Sequence, residues 1–151
     1  MRAYYGTTLE GLRALVESGT VADAVLHGVT PALREAVAGS DDEELEFLAT
    51  AAAADDALEA LAAHAAGSTG PWRRVVVALD LDGLVAGEGT VVLSRAGVPW
   101  AAAACVLADD AGADVDAALR RAADSGDPAA ADDCDLQWYA CQEVDRLLAG
   151  E

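Results

Sequence analysis

Lysine is absent from this chain; its nine basic residues are all arginine. That excludes Schiff-base catalysis, an internal aldimine with pyridoxal phosphate and the phosphate-binding lysine of a P-loop. Aromatic residues are scarce, at 5%, so Trp72, Trp100, Trp138, Tyr4, Tyr5, Tyr139 and Phe47 are the bulky side chains most able to anchor a core otherwise built from alanine and aliphatics. The three cysteines cannot all pair. Cys134 and Cys141 fall in an expected helix, two turns and about 10 Å apart, beyond disulfide reach. Free thiols point to a reducing compartment, and the cytoplasm is expected. Long apolar runs are lacking: no apolar segment precedes Glu10, and the longest uncharged run, Ala96 to Ala108, is too short to span a bilayer. Positive charge is scarce as well. Twenty-seven acids against nine arginines give a net charge of -18 and a pI near 4.1. Such a surface repels phosphate backbones, so no nucleic-acid partner is expected.

At 151 residues the chain suits a single domain, 1–151, with no linker and no internal repeat. A domain of that size buries roughly two-thirds of its unfolded surface without metals or disulfides. Its longest unbroken helical period runs from Ser40 to Ala66. Ser40 and Glu43 have the form of a capping box, and acids from Asp41 to Glu44 complement the helix dipole. Phe47, Ala51, Ala54, Leu58, Leu61 and Ala65 draw the expected apolar stripe.

Upstream, Arg2 to Tyr5 reads as a strand. A helix follows, capped by Thr7 with Glu10 and ended by Gly19, with Leu9, Leu12, Leu15 and Val16 on one face. Val21 to Val29 reads as a second strand, which makes the simplest connection a right-handed crossover between parallel strands. Thr30 and Pro31 start a short helix. After the break at Gly67 to Pro71, Trp72 to Leu81 is the strongest strand, a continuous apolar run suited to the centre of a sheet. Asp82 to Gly89 reads as a loop, Thr90 to Arg95 as a strand, and Val98 to Ala108 as a turn leading into a strand. Asp114 to Ala123 and Asp133 to Ala149 read as helices.

Few motifs carry chemistry. Asp80-Leu81-Asp82-Gly83 after an apolar strand imitates the nucleophile motif of haloacid-dehalogenase-type phosphatases. Leu84 stands where that family has threonine, however, and no lysine is present to neutralise a phosphoryl intermediate; a polar turn is the better reading. His27, His64, Cys105, Cys134 and Cys141 show no metal-ligand spacing, so no metal and no cofactor are expected. No G-x-S-x-G and no glycine-rich phosphate cradle occurs. Acid clusters are dense enough for chance pairs and read as solvated faces or caps. Two constellations remain: Arg34, in the first turn of its helix and able to pair with a carboxylate or an anionic ligand, and Trp138-Tyr139-Ala140-Cys141-Gln142-Glu143, two aromatics beside a polar pair.

Taken together, the N-terminal strand with Thr8-Leu9 and Leu12-Arg13-Ala14-Leu15, Val29 to Glu35, Asp42 to Glu46, Arg73 to Ala78 and Trp138 to Glu143 resemble an uncharacterised family of small actinobacterial cytoplasmic proteins, a conserved domain of unknown function. Two positions depart from its pattern: Ala36-Val37, where an aromatic pair is expected, and Leu107, where histidine is. The resemblance implies a source and a label but no activity, and it implies that the Asp80 and Asp82 pair is incidental.

The expected fold is a single α/β or α+β domain, with a mixed sheet of four or five strands packed by about five helices. The leading functional expectation is a non-catalytic interaction or regulatory protein with a protein partner or a second copy of itself, in the cytoplasm and away from membranes. The alternative is a small ligand-binding protein or hydrolase using Arg34 with Glu46, Trp138, Gln142 and Glu143.

Overall fold

The computed structural model describes residues 1–64 and 70–150. In chain order the strands and α-helices are β1 (Arg2–Thr7), α1 (Leu9–Ser18), β2 (Thr20–Val21), β3 (Val25–Gly28), α2 (Pro31–Ala36), α3 (Asp42–Ala63), β4 (Val75–Asp80), β5 (Val85–Ala86), β6 (Val91–Leu93), β7 (Val98–Pro99), β8 (Ala103–Asp109), α4 (Ala113–Ser125), β9 (Leu136–Tyr139) and α5 (Val144–Leu148). Seven strands form one sheet in the order β5-β6-β3-β1-β4-β8-β9, and β2 pairs with β7 as a separate ribbon. Every pairing is antiparallel.

This corrects the expected mixed sheet of four or five strands. The parallel crossover after β1 is absent, because the chain turns at Gly19 (φ 81°), spends Thr20–Val21 on the ribbon with β7, and returns antiparallel to β1. Val85–Ala86, expected in a loop, is too short to show a period yet pairs with β6. Leu136–Tyr139, expected in a helix, is a strand on β8; Leu136, Tyr139 and Ala140 fit a helical stripe as well as a strand. Only Val144–Leu148 of that stretch is α-helical, so Cys134 and Cys141 do not share a helix, and all three cysteines are free.

β4 has the expected central place, with Val75 to Leu79 buried between β1 and β8. Its alternating side chains feed two cores. Val75, Val77 and Leu79 pack with Leu12 and Leu15 of α1 and Val144 and Leu147 of α5. Val76 and Ala78 pack with Tyr4, Ala49, Ala53 and Ala54 on the face covered by α3. A third cluster joins Leu58 and Leu61 of α3 to Trp72 and to Leu119 and Ala122 of α4.

The α3 boundaries differ from expectation. Asp41, not Ser40, is the N-cap, and its box partner is Glu44 rather than Glu43. The buried line is Leu45, Ala49, Ala53, Ala57 and Leu61, joined by Ala54 and Leu58, while Phe47 is 71% exposed. Close approach selects the alanine line: a Cβ on Gly6 of β1 would lie 1.8 Å from the Ala53 carbonyl oxygen, so the helix sits almost on the strand backbone. Ala65 and the 67–69 part of the expected break lie outside the described residues. α1 is likewise capped by Thr8 rather than Thr7, whose neighbour's hydroxyl accepts from Gly11 N at 3.0 Å. Thr30 and Pro31 start α2 as expected.

Candidate functional site

The end of β1, the start of β4 and the end of β8 lie at one end of the sheet, since Thr7 pairs with Val75 and Val75 with Ala108. The chain reaches β4 through Trp72, Arg73 and Arg74. Trp72 N donates to Asp116 Oδ1 at 2.7 Å, Arg120 Nε donates to the same oxygen at 3.0 Å, and the Arg120 guanidinium lies 4.6 Å from the Trp72 ring centroid. With the backbone clamped to α4 there, the strand alternation continued back from Val75 and Val76 sends Arg73 and Arg74 to opposite faces.

Arg74 is neutralised. Its Nε and Nη2 each reach an Asp109 carboxylate oxygen at 2.9 Å, Nη2 also donates to Cys134 O at 2.9 Å, and its backbone N donates to Asp109 Oδ2 at 2.8 Å. Burial pulls the Arg74 pKa down, but the Asp109 hydrogen bonds outweigh it and the value is raised. This is the two-pronged arginine–carboxylate geometry that holds a buried charge best.

Arg73, one residue earlier, is only 2% exposed and has no such partner. Its Nε donates to the Asp109 backbone oxygen at 2.7 Å and its Nη2 to the Tyr139 hydroxyl at 3.3 Å. Nη1 is buried and finds no acceptor among the described residues, and no carboxylate among them forms an ion pair with this guanidinium. An uncompensated buried ion costs several kcal/mol on the scale of ~3–5, and the described residues supply no carboxylate to this one.

Arg73 borders a cavity of about 280 Å³ whose walls include Thr8, Leu9, Glu10, Leu61 and His64. Thr8 to Glu10 is the amino end of α1, where the first backbone N–H groups lack intrahelical partners and the helix dipole is positive. His64 Nδ1 is 2.8 Å from Ala60 O; a carbonyl only accepts, so Nδ1 carries the hydrogen of this contact. A buried guanidinium beside a helix amino terminus is chemistry for holding an anion.

A second polar row ties the other half of the sheet. His27 Nδ1 is 2.7 Å from Thr90 Oγ1 and Nε2 is 2.6 Å from Asp56 Oδ2, while Thr30 Oγ1 donates to Gly89 O and Gly28 N to Thr90 O. The order hydroxyl, imidazole, carboxylate resembles a nucleophile with its base and orienter. Here it joins β3, α3 and the turn before β6, each partner satisfied by the next, which is the work of a fastener.

The residues singled out in the sequence lie on separate elements. Arg34 Nη1 pairs with Asp42 Oδ1 at 2.9 Å, both side chains exposed, while Glu46 is exposed on α3. Trp138 is 64% exposed on β9, Gln142 is exposed just after it, and Glu143 Oε2 accepts from Ala140 N at 2.8 Å. β3, which leads into α2, stands four strand spacings from β9, on the order of 19 Å. The sheet therefore groups Trp138, Gln142 and Glu143 along one edge and leaves Arg34 with its own neighbour. Asp80 is exposed and bonded to Arg2 at 2.8 Å, whose hydrogen bond holds its carboxyl below the usual range, and Asp82 is exposed.

No curated protein and no solved structure matches the chain. A family match extends over residues 1–148, nearly the full length. The chain belongs to the Family of unknown function (DUF6912).

Proposed function

We propose that this is a non-catalytic binding protein whose cavity beside Arg73 takes up a small organic anion. The observation that carries the reading is Arg73, which lines the cavity and whose buried Nη1 has no acceptor among the described residues. The α1 amino terminus adds donors, and the apolar walls from Leu9, Leu61 and Pro71 suit a ligand with a short hydrocarbon body. Among the described residues that line the cavity no nucleophile is hydrogen-bonded to a base, and uptake and release is the activity that fits. The free thiols and lysine-free, alanine-rich composition support a cytoplasmic setting in an actinobacterium.

The test is thermal unfolding of the wild type and of Arg73→Met with increasing 4-methylpentanoate, a carboxylate with an aliphatic tail. A ligand at 100 times its Kd stabilises by about 2.7 kcal/mol, which raises Tm by several degrees. The wild type should show that saturable rise and the variant should lose it. No rise, or the same rise in both proteins, contradicts the reading.

A second reading, a protein partner or a second copy, is supported by the β9 edge, where Trp138 stands exposed beside Gln142 and Glu143 at the end of the sheet. Light scattering of the wild type and of Trp138→Ser checks it: a shared monomeric mass removes the second-copy version.

A further inference from the structure

We propose that the ligand of the Arg73 cavity is a zwitterion of the α-amino-acid type, held by its carboxylate at Arg73 and the α1 amino terminus and by its ammonium at Glu10. This rests on the reading of the cavity as an anion site and narrows it to one chemical class.

Charge makes the choice. Arg73 can neutralise one negative charge, and Glu10, which also lines the cavity, adds one back. A dianion such as a phosphate ester would bring a second negative charge that finds no second arginine among the lining residues, in a molecule already at -18. A bare carboxylate meets Arg73 but makes no use of Glu10. A ligand with an ammonium a few ångströms from its carboxylate meets both.

The remaining walls agree with this. Leu9, Leu61 and Pro71 supply apolar surface for a short side chain. A volume of about 280 Å³ sits at the small end of ligand sites, below the range of drug-sized or nucleotide ligands.

The experiment is calorimetric titration of the full chain with leucine, with 4-methylpentanoate (the same skeleton without its amino group) and with inorganic phosphate, repeated on Glu10→Gln and Arg73→Met. Glu10 is exposed at the start of α1, so its variant retains the fold. Leucine should bind at least tenfold more tightly than 4-methylpentanoate. Glu10→Gln should erase most of that advantage while leaving 4-methylpentanoate unchanged or slightly improved, and Arg73→Met should weaken both carboxylates. If 4-methylpentanoate equals leucine on the wild type, or phosphate exceeds both, the zwitterion assignment is overturned and the anion site stands. If none of the three binds, or if Arg73→Met binds them as the wild type does, the anion site itself is overturned.

Discussion

Arg73 and Arg74 are consecutive, both nearly sealed from solvent, and both within reach of Asp109, yet the molecule treats them differently. Arg74 receives both carboxylate oxygens, and Arg73 receives the backbone carbonyl of the same aspartate. On the α3 and α4 face the charge is closed within the protein and acts as part of the core. On the α1 face it borders a cavity, with one nitrogen that meets no acceptor among the described residues. The contrast teaches that burial alone does not assign a role to a charged group. What decides is whether its counter-charge belongs to the same chain.

The comparison can be broken most forcefully on the Arg74 side. Asp109→Ala would leave a buried guanidinium without its carboxylate, and we expect a loss of about 3–5 kcal/mol in chemical denaturation. A loss under 1 kcal/mol would mean that Arg74 reaches water and that its face is not closed.

The clamp that sets the two arginines on opposite faces comes next. The Trp72 backbone hydrogen bond, followed by Arg120, holds the Asp116 carboxyl below its usual range. A folded value below the unfolded one means that the carboxylate stabilises above the unfolded pKa of about 4 and loses that contribution as pH falls through the folded value. Asp116→Asn should therefore cost about 1 kcal/mol at pH 7, and its difference from the wild type should shrink below about pH 4. Unfolding midpoints measured from pH 7 to pH 2 check this; a constant difference would show that the charge is not what matters.

Arg34 is the solvent-exposed control. Its pair with Asp42 is open to water on both sides, so Arg34→Ala should change stability by less than about 0.5 kcal/mol. A larger loss would show that exposed arginines here carry structure too, and would blur the distinction drawn from the buried pair.

Much of the frame was legible because its signals are local. Val75 to Leu79 is apolar at every position, Thr30-Pro31 is a cap followed by the residue that best fits a first helical turn, and Gly19 ends α1 in the left-handed region. The strands without a local signature owe their existence to neighbours: Val85–Ala86 has no period of its own, and Leu136–Tyr139 carries a spacing shared by helix and strand. For α3 the helix was plain but its buried face was not, since alanine lines on several sides look alike until Gly6 demands the closest approach. The site was hidden for the same reason. Arg73-Arg74 was visible as a doublet, but its asymmetry depends on Asp109, 35 residues from Arg74, and on the start of α1, which only the folded sheet brings alongside. Arg34 drew attention through its position on a helix, a local cue that says nothing of burial.

The most direct test of whether Arg73 lacks a counter-charge in its own chain is the unfolding free energy of Arg73→Met without ligand, measured beside Asp109→Ala. A methionine of similar reach removes an uncompensated ion, so the loss should stay below about 1.5 kcal/mol, and replacement of a buried charge by an apolar side chain can even stabilise. A loss as large as that of Asp109→Ala would show that the protein itself closes the charge of Arg73, and would contradict the account.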